Sequence, residues 1–354
     1  MKKVKRLLRP DCLLITLALF CSSFLYALYV PDSERAVAEK ESSAVPYVEQ
    51  APDFGEPEMA SLEPDDVVNG NLKKMPTADK CEPLTFLMLN AHNYFVREED
   101  QRSRYTLTMK SEESRNAVAD LIVSAQPEMV GLIEMGGPKA LADLQNRLRA
   151  RGMNYPYARV LARKGEDRAL AVLSMHPIVQ DHSRADCNLA GSKRQKMLRG
   201  ILDVTVKVGD SRYFRIVGAH LKSRVAKDAD AADARRAAEA KTLAFYLQKE
   251  MRNQPKMPFI VYGDWNDGPA DDSLKVLKHG ISKDSALTQV KAKDSRGQSW
   301  TIYYPAEDQY SVFDQIYVNS VARSRRGRKC ESGVIDTPAA AQASDHRAVW
   351  CEVR

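Results

Sequence analysis

The stretch FIVYGDWND (residues 259–267) places a strand-length apolar run directly before a polar segment. Phe259 to Tyr262 are apolar or aromatic, a composition that is typical of a buried strand. Asp264 and Asn266 follow within four residues of Tyr262. Functional side chains of α/β proteins are commonly placed where strands end, so this stretch predicts both a core strand and a pair of site residues.

The same arrangement, an apolar run followed by polar side chains able to bind a metal or a phosphate, recurs along the chain. The residues concerned are Asn90 and Asn93, Glu134, His220, Asp314, and Asp345 with His346. Each has an ordinary explanation when taken alone, such as an exposed carboxylate, a core histidine or a turn residue. If their strands share a sheet system, however, these side chains are expected to converge on one rim.

Helical and strand-like segments alternate between these positions. We predict helices at 112–125, 139–151 and 226–251, and strands at 84–89, 129–133, 169–174, 200–208, 213–219, 259–262, 313–318 and 348–353. Gly209-Asp210 predicts a hairpin turn between two of the strands. Because hairpins join some strands and helices join others, the sequence predicts mixed sheets in one α/β or α+β domain of about 270 residues.

The first eighty residues differ in composition from the rest. Five basic residues among the first nine precede an uncharged apolar run at 12–30, which predicts that the downstream chain is exported to the periplasm or the outside. Residues 1–30 are either a cleaved signal peptide or an N-terminal membrane anchor, because the run approaches the ~20 residues that span a bilayer. Residues 31–80 hold twelve acidic and five basic residues, which predicts an acidic, proline-containing linker.

Residues 81–354 form the predicted folded domain, with a net charge of +9. A basic domain suits a polyanionic or phosphorylated substrate. Four cysteines fall in this part of the chain: Cys81, Cys187, Cys330 and Cys351. An oxidising compartment favours disulfides among them, but three pairings are open.

Six segments resemble, in their order, the motif series of the endonuclease/exonuclease/phosphatase superfamily, which includes deoxyribonuclease I. They are LNAHN (89–93), LIEM (132–135), AHLKS (219–223), GDWND (263–267), FDQIY (313–317) and SDH (344–346). The resemblance spans about residues 84 to 353 and implies a four-layer sandwich of two mixed β-sheets flanked by helices. This chain departs from the family pattern at Ala91 and His92, where an aromatic or acidic residue is common, and at Trp265, where Phe is common.

The resemblance also implies a divalent-metal-dependent phosphoesterase. Hard cations prefer oxygen ligands, so Asn90, Glu134 and Asp345 are the expected metal ligands. The sequence has no Cys/His cluster of the kind that zinc prefers, which favours Mg²⁺ or Mn²⁺. Such a cation would neutralise charge on the phosphoryl oxygens of an anionic ester.

Five further residues are expected to carry the reaction. The resemblance implies that Asp314 orients His346, and an Asp–His pair suits base work or contact with the phosphate. His220 would supply a second imidazole, donating to a phosphoryl oxygen or to the leaving group. Asp264 would orient or deprotonate the attacking water, and Asn266 would donate its amide to the developing charge. Which imidazole is the acid and which the base stays open.

The leading hypothesis is a monomeric enzyme that hydrolyses phosphodiester bonds outside the cytoplasm, with DNA or RNA favoured because the domain is basic. One alternative is a lipid- or sugar-phosphate phosphatase or phospholipase-like enzyme of the same fold. The other is a non-catalytic envelope binding module, against which the complete set of site residues speaks. Aromatic residues are not interleaved with the basic runs, which lowers the expectation of single-strand stacking.

Overall fold

The computed structural model describes residues 83–96, 108–305, 307–323 and 330–354. The strands are β1 (Leu84–Tyr94), β2 (Met129–Met135), β3 (Tyr157–Leu161), β4 (Ala169–Ser174), β5 (Ile178–Asp181), β6 (Leu202–Val208), β7 (Arg212–His220), β8 (Phe259–Asp264), β9 (Thr288–Gln289), β10 (Ile302–Tyr304), β11 (Gln309–Ser311), β12 (Asp314–Val318), β13 (Ser332–Val334) and β14 (Val349–Val353). The helices are α1 (Glu112–Ala125), α2 (Pro138–Arg149), α3 (Ala229–Asn253), α4 (Asp272–His279) and α5 (Pro338–Ala343). The predicted leader at 1–30 and linker at 31–80 lie outside the described residues.

Two six-stranded sheets form the centre of the fold. The first has the order β13-β14-β1-β2-β4-β3, and the second has the order β5-β6-β7-β8-β12-β9. β1 and β2 run parallel, as do β7 and β8, whereas the other neighbouring strands are antiparallel. β10 and β11 form a separate hairpin. The predicted mixed architecture is therefore confirmed.

Alternation along the strands separates three hydrophobic cores. On β1, Phe86 and Met88 face the second sheet, whereas Leu87 and Leu89 face α1, α2 and α5. A third core lies between the outer face of the second sheet and helices α3 and α4. The layers therefore run helices, sheet, sheet, helices, which is the four-layer sandwich that the resemblance implies.

One tyrosine of the core between the two sheets crosses from one sheet to the other. The hydroxyl of Tyr262 on β8 donates to the carbonyl of Ala171 on β4, at 2.8 Å. A Cβ atom at Gly131 would lie 2.6 Å from the Tyr262 ring, and one at Gly218 would lie 2.5 Å from it. Both glycines are therefore needed to admit this ring between the sheets.

The second sheet also contains a buried ion pair. Arg215 on β7 binds Asp203 on β6 through two hydrogen bonds, and both side chains are fully buried. Glu250 lies 3.0 Å from Arg215 Nη2, and the hydroxyl of Tyr246 donates to Asp203 Oδ2 at 2.6 Å. These contacts tie α3 to the sheet and satisfy charges that would otherwise be buried without partners.

The cysteines at 187, 330 and 351 are free thiols, and Cys81 lies outside the described residues. Of the helices in the described ranges, none combines the length and the hydropathy that crossing a bilayer requires.

Candidate active site

Three adjacent strands of the second sheet bring three site residues to one edge. His220 on β7 lies opposite Asp264 on β8 in the parallel register. Asp264 in turn lies opposite Asp314, the first residue of the antiparallel strand β12. All three side chains are buried. Strand pairing therefore places residues that are far apart in sequence side by side, as expected from their positions after apolar runs.

The first sheet contributes residues from the neighbouring ends of β1 and β2. Asn90 pairs with Ile133 in the parallel register, and the register then shifts before Tyr94. The backbone is left-handed at His92 (φ 45°), Asn93 (φ 50°) and Glu134 (φ 62°). Such values are uncommon outside glycine and often mark functional sites.

Local hydrogen bonds hold this irregular backbone in place. The Asn93 N–H donates to Glu134 Oε2 at 3.1 Å, and the His92 N–H donates to Asn90 Oδ1 at 3.1 Å. The Glu134 carboxylate is thereby fixed at the rim, with its side chain 15% exposed. The irregular end of β1 therefore positions the Glu134 carboxylate.

The segment before β14 is anchored to β1 by Ser344. The Ser344 hydroxyl donates to the carbonyl oxygen of Asn90 at 2.7 Å, and the His346 N–H donates to Ser344 Oγ at 3.0 Å. His346 also bridges to Ile302 on β10. These contacts attach the segment that carries His346 to β1 and β10, and its ring meets Asp264 and Asp314 of the second sheet at the rim.

Asp264 is the centre of the cluster. Asn90 Nδ2 donates to Asp264 Oδ2 at 2.9 Å, and the nearest nitrogens of His220 and His346 lie 3.5 Å and 4.0 Å from the same oxygen. Glu134 Oε1 lies 3.9 Å from His220 Nε2. The two sheets therefore supply one shared site.

Asp314 and His346 form a closely paired acid and imidazole. His346 Nδ1 lies 2.7 Å from Asp314 Oδ2, and both side chains are buried. Burial of the ring opposes its charge, but the charge and hydrogen bond of Asp314, with Asp264 and Asp345 adding to them, raise the pKa of His346 well above its usual value. This ring is therefore held as the imidazolium.

The surroundings of His220 disfavour its charged form, in contrast to those of His346. Burial, followed by the positive charges of Arg199 and Arg168, holds the pKa of His220 well below its ordinary value. Its Nδ1 atom makes no hydrogen bond within the part of the chain that the structure describes. The site therefore pairs one neutral imidazole with one charged imidazole.

The surroundings of Asp264 disfavour the ionised form of its carboxyl group. Burial raises the pKa of Asp264, and the nearby carboxylates Asp314 and Glu134 add to the effect while His346 opposes it. The Asn266 N–H donates to Asp264 Oδ1 at 3.0 Å. The Asn266 side-chain amide donates to the carbonyl of Leu221 at 3.1 Å, which leaves one of its two N–H groups for another acceptor.

One group of the described residues has ligand atoms close enough together to hold a metal. Among the described residues, ligand atoms of Asp264, Asp314 and His346 all lie within 4.8 Å of one another. The ligands expected from sequence are arranged differently, because Asp345 lies nearer the surface. Its carboxylate pairs with His92 Nδ1 at 2.9 Å, and its side chain is 48% exposed.

Two cations that sequence reasoning did not select border these carboxylates. Arg168 Nε lies 3.2 Å from Glu134 Oε1. Burial lowers the pKa of Lys110 to about 8, although Asp345 and Glu134 oppose the change. Lys110 therefore lies near both carboxylates, and its ammonium group donates to the carbonyl of His92 at 3.3 Å. Arg168 follows the buried Asp167, but nothing in the sequence marks either cation.

Thr301 is a further residue that sequence reasoning missed. Its hydroxyl accepts hydrogen bonds from the N–H groups of Phe313 and Asp314, each at 3.0 Å. Its carbonyl accepts from the Arg347 N–H at 2.7 Å. One buried threonine thus holds the backbones that carry Asp314 and His346 together.

Comparison with known proteins agrees with this fold. The human Nocturnin catalytic domain with bound sulfate is similar at 18% identity and a TM-score of 0.53, over 77% of this chain and 94% of that chain. Truncated TDP2 from Caenorhabditis elegans is similar at 15% identity and a TM-score of 0.51, over 77% of this chain and 97% of that chain. An endonuclease/exonuclease/phosphatase from Bacteroides vulgatus is similar at 15% identity and a TM-score of 0.54, over 77% of this chain and 99% of that chain. A search of the curated proteins gave no match. The sequence model of the Endonuclease/Exonuclease/phosphatase family matches residues 108–346. The chain therefore belongs to the endonuclease/exonuclease/phosphatase family, whose members are phosphoric-ester hydrolases.

Proposed function

We propose that this chain is a divalent-cation-dependent phosphodiesterase that acts on nucleic acid outside the cytoplasm. The observation that carries the proposal is the meeting of the His220 and His346 imidazoles around the buried Asp264 carboxyl group, with Glu134 beside them. A phosphodiester is anionic, so its hydrolysis requires positive charge at the phosphoryl oxygens and a group that activates water.

The oxygen donors at the rim fit a hard cation. Glu134 is held by the left-handed turn of its backbone, and Asn90 and Asp345 lie on the segments joined by Ser344. We assign these three residues to Mg²⁺ or Mn²⁺, because carboxylate and amide oxygens suit such ions. When bound there, the ion would neutralise charge on the phosphoryl oxygens.

The remaining residues of the site act on protons and charge. His346, held as a cation by Asp314, donates to a nonbridging phosphoryl oxygen. Asp264, whose pKa is raised by burial, accepts a proton from the attacking water. Asn90 Nδ2 orients that carboxyl group. As the oxygen of water bonds to phosphorus, the P–O bond to the leaving group breaks, and the departing oxygen takes a proton from solvent. His220, held neutral, hydrogen-bonds to that departing oxygen, and Asn266 supplies its remaining N–H to the developing charge.

Charge and the N-terminal sequence support the substrate class and the location. The net charge of +9 on residues 81–354 favours a polyanion, and the basic residues before the apolar run at 12–30 favour export. We infer that the enzyme acts as a monomer in the periplasm or outside the cell, either free or tethered through residues 12–30. Cell fractionation and mass spectrometry of the mature N-terminus would distinguish the two forms.

A substrate screen tests the activity. The purified chain is incubated with DNA, RNA, bis-p-nitrophenyl phosphate and sphingomyelin in Mg²⁺, Mn²⁺ or EDTA. We expect metal-dependent cleavage of nucleic acid and of the aryl diester. Cleavage of the lipid alone would indicate a phospholipase-like enzyme, and tight binding without turnover of any ester would indicate a binding module; either result contradicts the proposal.

A further inference from the structure

The hairpin β10–β11 carries a cluster of aromatic side chains on its outer face. Tyr303 and Tyr310 are directly opposite in the antiparallel register, and their rings stack at 4.5 Å between centroids with 28° between planes. Trp300 meets Tyr310 edge-on at 5.1 Å. Tyr310 is 57% exposed. We call Trp300, Tyr303 and Tyr310 the aromatic platform.

The platform is fixed to the segments that carry the site. Arg347, the neighbour of His346, lies 4.1 Å over the Trp300 ring and donates to the Trp300 carbonyl at 3.2 Å. The same guanidinium is held by Asp294 at 2.8 Å. One face of Trp300 is therefore occupied by a cation–π contact, and this residue supports the platform rather than offering a free surface.

The opposite face of the hairpin borders the site. Tyr304, one residue after Tyr303, points to that face because side chains alternate along a strand. Its ring lies 6.1 Å from that of Phe313. Burial, with the charges of Asp264, Asp345 and Asp314 adding to it, raises the pKa of Tyr304 to about 12. The hairpin therefore forms a wall with site residues on one side and the platform on the other.

We propose that Tyr303 and Tyr310 form a stacking subsite for a nucleobase of a strand that crosses the hairpin, while a phosphate farther along the same strand occupies the site. The inference rests on the proposed function and names the feature of the substrate that the hairpin recognises. An exposed aromatic ring can stack on any base, because every base has a π-face, and such contacts tolerate sequence variation.

The surroundings of the platform favour a base over a lipid surface. The turn between β10 and β11 carries Glu307 and Asp308, whose charges would have to leave water for the tip to enter a bilayer, whereas stacking of a base on Tyr310 leaves them in water. Asp308 accepts a hydrogen bond from the Tyr303 hydroxyl at 3.0 Å. In the described part of this hairpin, Tyr310 is the one exposed large hydrophobic residue. A polar-tipped hairpin with two stacked tyrosines therefore suits a planar ligand.

Matched substrates isolate the contribution of the bases. The full-length chain is assayed with hexathymidylate, with an abasic hexamer of the same length and charge, and with methyl p-nitrophenyl phosphate, a small diester without a base. We expect wild-type kcat/KM to be at least ~5-fold higher for hexathymidylate than for the abasic hexamer, as one stacked base would give.

Three variants assign the preference to the platform. Tyr310→Ala should lower kcat/KM for hexathymidylate by about 5- to 100-fold, the range for losing one stacked base, and leave the other two substrates unchanged. Tyr310→Phe should retain the preference, because it keeps the ring. Tyr157→Ala is the matched control, since Tyr157 is an exposed tyrosine on the edge strand β3 of the first sheet.

The outcomes separate this inference from the proposed function. If methyl p-nitrophenyl phosphate is hydrolysed but the two hexamers behave alike, or if Tyr310→Ala keeps the preference, the subsite is wrong and the phosphodiesterase stands. If no diester is hydrolysed, the function fails, and the fluorescence anisotropy of labelled hexamers tests the subsite. The subsite is supported if Tyr310→Ala binds hexathymidylate more weakly than wild type does but binds the abasic hexamer equally well. It is wrong if Tyr310→Ala binds both hexamers as wild type does, or if the variant instead loses binding to phospholipid vesicles.

Discussion

Replacing Glu134 by glutamine removes one negative charge from the site while preserving the shape of the side chain. Glu134 Oε1 lies 3.2 Å from Arg168 Nε and 3.9 Å from His220 Nε2. Its second oxygen accepts the Asn93 N–H at 3.1 Å, and an amide oxygen can accept the same bond. The substitution therefore tests the charge of this residue and not its packing.

The size of the effect follows from the distances and the burial. A unit charge and a divalent cation about 4 Å apart interact by about 8 kcal/mol at an effective dielectric constant of ~20, twice the value for two unit charges. Because each ~1.4 kcal/mol changes an equilibrium constant tenfold, even half of this energy corresponds to about 10³-fold in cation affinity. Water reaches the side chain, which is 15% exposed, and screens part of the interaction. We therefore expect the half-saturating concentration of Mg²⁺ or Mn²⁺ to rise by about 10²-fold or more.

The assay is a metal titration of the initial rate of aryl diester hydrolysis. Glu128→Gln is the matched control, because Glu128 lies next to the opposite end of β2 and also accepts a backbone N–H, that of Thr85, at 2.6 Å. Circular dichroism melting checks that both variants fold. A half-saturating concentration within threefold of wild type, or an equal shift in Glu128→Gln, would refute the assignment of Glu134 to the metal.

Three further predictions concern other parts of the molecule. Asp314→Asn should lower kcat by at least ~10²-fold, because it removes the partner that orients and charges His346. In the same variant the pKa of His346 should fall, so the alkaline limb of the rate profile should move to lower pH; an unmoved limb would mean that another group titrates. Tyr262→Phe should lower the free energy of unfolding in urea by about 1 kcal/mol with unchanged kcat, since one buried hydrogen bond is lost. Asp203→Ala should cost about 3–5 kcal/mol in the same measurement, because Arg215 is left buried without its main partner, and a loss below ~1 kcal/mol would contradict this.

The sequence was most informative where local signals agree with the fold. The helix predicted at 112–125 has those bounds in the structure, since the Ser111 hydroxyl accepts the Ser114 N–H at its start and Pro127 follows its end. The strand predicted at 169–174 is also confirmed, because a fully buried strand has an uninterrupted apolar run. Family motifs then indicated which strand ends carry the site.

Elements with weak local patterns were not predicted. β3 exposes its first three residues, so it lacks an apolar run, and β9, β10, β11 and β13 are only two or three residues long. The aromatic platform depends on the pairing of Tyr303 with Tyr310 across such short strands. The expectation that single-strand stacking is disfavoured rests on the absence of aromatic residues from the basic runs, and it stays a prediction. The stacked pair Tyr303 and Tyr310, which argues against it, could not be read from the sequence.

The geometry of the site could not be read from sequence because it depends on how the sheets dock. Glu134 and His220 belong to different sheets, and no local pattern relates them. The same holds for Lys110 and Arg168, whose nearness to the acidic rim arises only in the folded chain. Ser344 lies within the SDH motif, but the sequence does not show that its hydroxyl binds the carbonyl of Asn90, because the two residues meet only in the folded chain.

The Tyr262 hydrogen bond between the sheets has a consequence for how the site would be lost. Tyr262 precedes Asp264 by two residues on β8, so a residue that links the two sheets and the residue at the centre of the site share one short strand. Any heating or mutation that lets one sheet slide over the other would pull the Asp264 carboxyl group away from Asn90 at the same moment. Thermal inactivation should therefore coincide with loss of tertiary structure, and complementary fragments divided between the sheets should be inert until they reassociate.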